Sequence, residues 1–237
     1  MATSPDAVRA ELAVITSAAT TEIAAEIAAV PVERQVAAAL EAVSLLVPSY
    51  YDAAGSLAVD WYDELRAEAD PASVFTPSII GDPATDWIDR EIAAFQKTLD
   101  ADLLDLQAQN EKSINEMVAL AAKEVARGYR DTVVGNTRTD VDAIGWSRIA
   151  RPGACKFCVM LAGKGSVYNS RSTAIFAAHK TCHCAARPEF KGGEHGPEAN
   201  ALQYVASSRR AKTDAAQAAR NKRLRAYLNK NYPEARG

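Results

Sequence analysis

The sequence predicts a mainly α-helical protein with a small α+β module. Two observations lead to this prediction. Apolar residues recur at helical spacing through most of the first 135 positions. From residue 136 to 198, glycine and proline become frequent, and short stretches compatible with strands replace the helical period. The predicted order is an N-terminal helical bundle over residues 1–70, a linker over 71–82, a long helical segment over 83–135, a loop-rich Cys/His module over 136–198 and a basic helical tail over 199–237.

Proline marks the expected starts of the N-terminal helices. Ser4-Pro5 is typical of a capping side chain followed by proline in the first helical turn. Pro31 is expected to open a second helix that Pro48 closes, and Ser49 then caps a third helix that runs to about Ala69. The first 70 residues are therefore predicted to form a bundle of three antiparallel helices with short loops.

The middle of the chain is predicted as an irregular segment followed by helix. Residues 70–83 contain three prolines, which predicts a linker or an extended arm. The helical period then resumes after Asp82-Pro83, as one long helix or as two that break near Gln109-Asn110. Gly135-Asn136 is expected to end it. Residues 145–150 and 184–190 are compatible with short strands, and helix returns from about Asn200.

The charge of the chain is divided unevenly along its length. Residues 1–110 contain 5 Lys+Arg and 19 Asp+Glu, a net charge of −14, whereas residues 111–237 contain 22 and 11, a net charge of +11. No apolar run approaches the roughly 20 residues of a membrane span. The N-terminus has no secretory signal pattern, so synthesis in the cytoplasm is expected. A reducing compartment favours a metal site or reduced thiols over disulfides.

All four cysteines lie in one segment that has the spacing of a metal site. Cys155 and Cys158 form a C-x2-C pair, and His179, Cys182 and Cys184 follow. Thiolate and imidazole at this spacing are typical of tetrahedral zinc. Five donors compete for four positions, and both four thiolates and three thiolates with one imidazole remain open. The residues predict a structural zinc ion, with reduced structural cysteines or later disulfide pairing as the alternatives.

The C-terminal tail is strongly basic. After residue 200 there are nine Lys+Arg and two Asp+Glu. This excess is compatible with contact to a phosphate backbone or an acidic protein surface, and equally with a solvated helix face. Few aromatic residues accompany the charges, which disfavours sequence-specific reading of nucleic acid. The candidate nucleic-acid-binding residues are Arg209, Arg210, Lys212, Arg220, Lys222, Arg223 and Arg225.

The cysteine segment resembles the MuF-like minor capsid proteins of tailed bacteriophages, in the branch found in phages of high-GC actinobacterial hosts. The resemblance covers roughly residues 127–190: a Trp-x-Arg turn at Trp146, the C-x2-C pair, a G-x-V-Y piece at 165–168, and H-x2-C-x-C before a Pro-aromatic end. Residues 59–66 are also similar. The resemblance implies a non-enzymatic virion protein inside the head at the portal vertex. It would act in head morphogenesis, DNA packaging or ejection. The implied partners are the portal protein, other head proteins, further copies of the chain and packaged DNA.

Two other functional classes remain as alternatives. The first is a zinc-stabilised nucleic-acid-binding protein that uses the basic tail. The second, less favoured, is a degenerate ADP-ribosyltransferase-like enzyme, because some relatives carry such domains. For an enzyme, the module offers only Glu189, Glu194, His183 and His195 as acid or base candidates.

Overall fold

The computed structural model describes residues 2–84, 90, 106–151, 153–165, 184–190 and 213–235. This part of the chain contains five α-helices and one two-stranded antiparallel sheet. The prediction of a mainly α-helical protein with a small α+β module is confirmed. The elements are α1 (Pro5–Ala28), α2 (Gln35–Ala69), α3 (Leu106–Thr139), β1 (Gly145–Ile149), α4 (Lys156–Ala162), β2 (Ala185–Glu189) and α5 (Asp214–Asn231), with a 3-10 turn at Val32–Arg34 before α2.

Helix α1 begins as its sequence predicts. The Ser4 hydroxyl oxygen accepts a hydrogen bond from the Ala7 amide at 3.2 Å, and Pro5 occupies the first turn. The predicted apolar stripe is the buried face of the helix, at Val8, Leu12, Ala19, Ile23 and Ile27. This face packs against α2 and α3.

The prediction of three helices within residues 1–70 is wrong, because α2 is a single helix where two were expected. Pro48 lies inside one continuous helix, so this stretch contains two long helices instead of three. Proline has no N–H, and the Ser44 carbonyl therefore loses its helical partner. Val43, Val47 and Tyr51 are fully buried on the same side of the helix. Their burial offsets the local cost of the proline and keeps the helix continuous.

Helix α3 is the third member of the bundle. It runs without interruption through Gln109-Asn110, so the break that the sequence left open does not lie there. It also continues beyond Gly135-Asn136, so the predicted end is wrong. Leu120, Val125 and Tyr129 of α3 lie in the same apolar cluster as the buried residues of α1 and α2. Residues 106–139 and the first 70 residues therefore share one core.

Residues 70–84 form an extended arm along α2 and α3, one of the two possibilities that their sequence left open. The Asn136 side chain, which was expected to end the helix, holds this arm. Its Oδ1 accepts from the Ser78 amide at 3.1 Å, and its Nδ2 donates to the Ser78 carbonyl at 2.8 Å. The Ile80 amide donates to Thr132 Oγ1 at 3.1 Å. Glycine at 135 leaves room for the arm, because a Cβ there would be 2.6 Å from Ile80 Cγ2.

The two predicted strands pair in antiparallel register from Gly145 opposite Glu189 to Ile149 opposite Ala185. Helix α3 anchors this sheet, since the Tyr129 hydroxyl donates to the Ala186 carbonyl at 2.9 Å. Trp146 is 1% exposed and belongs to the core of the bundle. The sheet is therefore an extension of the helical core. The cysteine segment connects to it at the end where Ile149 pairs with Ala185.

Candidate metal centre

Three of the five predicted metal donors come together in one small apolar cluster. Cys158 and Cys184 are each 1% exposed and pack with Ala154, and the half-buried Cys155 packs against them. No disulfide joins any two of these three cysteines. His179 and Cys182, the other two predicted donors, lie outside the described residues, as does His183.

The strand register explains how the two arms of the motif meet. Ile149 is paired with Ala185, so the next residue of one strand, Ala150, and the residue before the other, Cys184, lie at the same end of the sheet. A turn closed by the Ala154 amide and the Arg151 carbonyl at 3.0 Å then returns the chain to Cys155. Cys155 immediately precedes α4, and Cys158 follows within its first turn.

The chemistry of these donors fits a soft cation such as zinc. The cluster surrounds the sulfurs with alanine and valine, where a lone thiolate would lose its hydration without compensation. Such a cluster therefore holds neutral thiols, or thiolates bound to a cation. Among the residues that the structure describes, no three His, Cys, Asp or Glu side chains are arranged to hold an ion. A complete site would need a donor from the part of the segment that contains His179 and Cys182.

The predicted basic residues divide between described and undescribed parts of the chain. Arg209, Arg210 and Lys212 lie outside the described residues. The others are exposed on α5: Arg220, Lys222, Arg223 and Arg225. Thr213 caps this helix, and Leu224 and Leu228 pack on Met160 and Leu161 of α4. The structure thus joins the basic helix to the cysteine segment through α4.

Of the acid and base candidates for an enzyme, Glu189 lies among the described residues. Glu194 and His195 lie outside the described residues, as does His183. The Glu189 carboxylate accepts a hydrogen bond from the Ser147 hydroxyl of the facing strand. This contact gives Glu189 a role in the pairing of the two strands.

A buried polar cluster, which sequence reasoning missed, lies where α2, the arm and α3 meet. Arg66 Nε donates to Asp140 Oδ2 at 2.8 Å, and the Tyr62 hydroxyl donates to the same oxygen at 3.2 Å. Arg66 Nη2 also donates to the Ser73 carbonyl at 2.7 Å. Burial and the Asp140 carboxylate raise the pKa of Tyr62, so the phenol remains a donor. The cluster fixes the end of the bundle against the chain that leads into β1.

The sequence carried one signal for this cluster. Residues 59–66, which are part of the resemblance, contain three side chains that each reach another element. Trp61 Nε1 donates to the Thr3 carbonyl at 2.8 Å, while Tyr62 and Arg66 both reach Asp140. This stretch of α2 therefore connects the helix to the N-terminal residues and to the end of α3.

Two acidic residues of this part of α2, Glu64 and Glu68, bond the N-terminal backbone. Glu64 accepts a hydrogen bond from the Thr3 amide at 2.6 Å, and Glu68 accepts one from the Ala2 amide at 2.6 Å. The hydrogen bond from Thr3 lowers the pKa of Glu64. Both carboxylates are exposed and hold the N-terminal residues against α2.

A second polar cluster holds the far end of the arm. Arg127 Nη1 pairs with Asp131 at 2.5 Å, and its Nη2 donates to the Asp82 carbonyl at 2.7 Å. The buried Glu124 accepts from the Ala84 amide at 2.8 Å. Burial raises the pKa of the neighbouring Tyr51 to about 12. These groups are engaged in holding the arm to α3.

A comparison with family models identifies the family of this chain. The model of the VG15 protein family matches residues 1–212. The chain belongs to the VG15 protein family. VG15 is a phage-associated family of viral gene products. The match includes the helical bundle, the arm, the sheet and the whole cysteine segment, and it ends just before α5.

Two further comparisons add no relatives. Neither the search of curated proteins nor the search of solved structures returned a match for this VG15 chain. Within the described residues, no helix combines the length and the apolar character that a membrane crossing requires.

Proposed function

We propose that this VG15 protein is a structural, non-enzymatic minor head protein of a tailed phage. It would lie inside the capsid near the portal vertex and assist head morphogenesis, DNA packaging or DNA ejection. The observation that carries this proposal is the match to a phage-associated family over residues 1–212, which includes the segment that resembles MuF-like proteins.

The arrangement of charge supports a role between protein and DNA. The outer surfaces of α1 and α2 carry many exposed carboxylates, whereas Arg34 is the one exposed Lys or Arg on the described chain through residue 70. Such a surface repels DNA and favours a protein partner, for which we propose the portal protein or another head protein. Helix α5 has the opposite charge and would face the packaged DNA.

The proposal of a non-enzymatic role rests on what the polar groups do. The buried polar clusters around Asp140 and Glu124 are built from groups that bond one another and the backbone. Glu189 is engaged by Ser147 within the sheet. These contacts are typical of structural networks that join elements.

We propose zinc as the ion of the cysteine segment. Cys155, Cys158 and Cys184 would supply thiolates, and His179 or Cys182 would complete the set. When bound, zinc would cross-link the turn before α4 to the start of β2. Metal analysis of the purified chain should then give about one zinc per chain, and a preparation free of zinc that is folded and stable would contradict this part of the proposal.

Removal of the gene product from the phage tests the proposed function. A phage with an early stop codon in this gene, grown with and without a suppressing host, should form heads of normal size. Those heads should contain less internal cargo or eject DNA poorly, so infectivity per particle should fall. Quantitative mass spectrometry of purified virions should find the chain in few copies alongside the portal protein. Fully infectious particles without the chain would overturn the proposal.

The alternative of a zinc-stabilised nucleic-acid-binding protein is favoured by one observation, the exposed cations of α5. Such a protein would distinguish among DNA sequences. Binding to several unrelated duplexes, measured over a range of salt concentrations, separates the two functions. Equal affinities with a steep salt dependence favour the minor head protein.

A further inference from the structure

Helix α4 is a short helix whose two apolar faces pack in opposite directions. Cys158 and Val159 face the cysteine cluster. Met160 and Leu161 pack against α5. Each residue of an α-helix advances the side-chain direction by about 100°, so Met160 points about 200° away from Cys158. The same two turns of helix therefore contact both the candidate metal centre and the basic helix.

Helix α5 depends on this contact for its position. Among its described residues, only Leu224 and Leu228 are buried, and both pack on α4. A polar contact joins the same two helices, in which Lys156 Nζ donates to Asn229 Oδ1 at 2.9 Å. In proteins most of the stability of a helix comes from packing of its apolar face, and in α5 that face is small. Burial of the two leucines on α4 thus helps to hold α5 in one orientation.

Helix α4 depends on the cysteine cluster in turn. It has seven residues, and Cys155 at its N-terminal boundary makes no side-chain capping hydrogen bond. So short a helix does not form alone, because the cost of nucleation exceeds the gain from its few hydrogen bonds. Its order comes from packing on both faces, and loss of the cysteine face would remove one of the two.

We infer that the cysteine cluster controls the presentation of the basic helix through α4. With the cluster intact, α5 is docked and its exposed cations are held in a fixed position for contact with a DNA phosphate backbone. When the packing of the cysteine cluster is lost, α4 unfolds locally and α5 loses its contact with α4. This inference rests on the proposed function for the identity of the ligand and of the ion, but the coupling itself concerns only α4, α5 and the cysteines. A docked helix binds with less loss of conformational freedom, so opening the cluster weakens DNA binding without removing any cation.

Hydrogen exchange of the full chain tests the coupling from both sides of α4. Cys158→Ala opens the cysteine face and leaves α5 unchanged. The double variant Leu224→Ala/Leu228→Ala opens the other face and leaves the thiols unchanged. Both should raise the exchange of α5 amides by about tenfold or more, while exchange in the core of α3 is unchanged. Ala219→Ser, an exposed change in α5, is the matched control and should exchange like the wild type.

Binding to a random-sequence DNA duplex, followed by fluorescence anisotropy, is measured on the same variants. Both variants should bind DNA with severalfold lower affinity. The salt dependence of binding should be unchanged, because every Lys and Arg is retained. If Cys158→Ala leaves α5 exchange at the wild-type level while the leucine variant raises it, the coupling is overturned. Raised exchange with unchanged DNA affinity supports the coupling and removes DNA from the proposed function. Should Cys158→Ala fail to fold, Val159→Ala reduces packing on the same face and keeps the thiol.

Discussion

The ion pair between Arg66 and Asp140 gives the sharpest test of how this fold is held together. Asp140→Asn keeps the shape of the side chain and an oxygen that accepts from Tyr62. It removes the negative charge that faces Arg66 Nε at 2.8 Å. The buried guanidinium is then left without its closest counter-charge. We expect this single substitution to destabilise the junction of α2, the arm and α3.

The magnitude follows from the burial of the pair. The Asp140 side chain is 0% exposed and that of Arg66 is 11% exposed. Removal of one partner from a buried pair costs about 3–5 kcal/mol, because the other charge stays buried. Arg66 retains a contact with Asp142 at 3.4 Å and some water, which places the expected loss near the lower end, at about 3 kcal/mol. The pair of Arg9 with Asp6 is the matched control, because the Arg9 side chain is 10% exposed, much like Arg66, while its carboxylate partner is in solvent. Asp6 is 84% exposed, so Asp6→Asn should cost about 1 kcal/mol or less.

Urea unfolding followed by far-ultraviolet circular dichroism measures both losses. A loss of about 3 kcal/mol corresponds to a decrease in Tm of about 6–12 °C for a chain of this size. The double variant Arg66→Met/Asp140→Leu should recover much of the loss, because apolar side chains often replace a buried pair without penalty. The reasoning is refuted if Asp140→Asn costs no more than Asp6→Asn, or if the double variant is less stable than Asp140→Asn.

Three further predictions concern packing, pH and the cysteines. Gly128→Ala should lower the free energy of unfolding by about 2 kcal/mol or more, because its Cβ would be 2.9 Å from Tyr51 Cγ and 3.1 Å from the Tyr51 carbonyl carbon. Gly55→Ala is the control. Its Cβ would meet only side chains, so it should cost less in the same unfolding assay. Burial raises the pKa of Tyr51 to about 12, and an unfolded tyrosine ionises near pH 10. The contribution of Tyr51 to stability should therefore be constant below pH 10 and be lost between pH 10 and 12, and a flat unfolding midpoint over that range would contradict this. Cys158→Ala should lower the zinc content to well below one per chain, whereas an unchanged content would exclude Cys158 as a ligand.

Sequence reasoning succeeded where local signals and tertiary packing agree. Ser4 and Pro5 mark the start of α1 by chemistry that acts within one turn, and the structure follows it. The strands over 145–149 and 185–189 were predicted from short stretches, and their pairing was not. The alternation of a strand identifies its faces, but the choice of partner depends on residues about 40 positions apart.

It failed where packing overrides a local preference. Pro48 is a strong local signal for a helix end, yet the buried stripe continues through it at Val47 and Tyr51. Asn136 was expected to end α3, but its side chain bonds both backbone groups of Ser78. In each case a contact with another part of the chain outweighs a preference of roughly 1–3 kcal/mol.

The candidate site was predictable in its chemistry and less so in its assembly. The spacing of the cysteines identified the donors before the fold was known, because donor types and short spacings are local properties. Which donors meet depends on the register that brings Ala150 beside Cys184. The Arg66–Asp140 pair, 74 residues apart, has no local pattern at all. Its charges are two among many along the chain, and only the meeting of α2 and α3 makes them partners. Long-range pairs of this kind determine how the cysteine segment is attached to the bundle, which is why the donors could be predicted from sequence and their support could not.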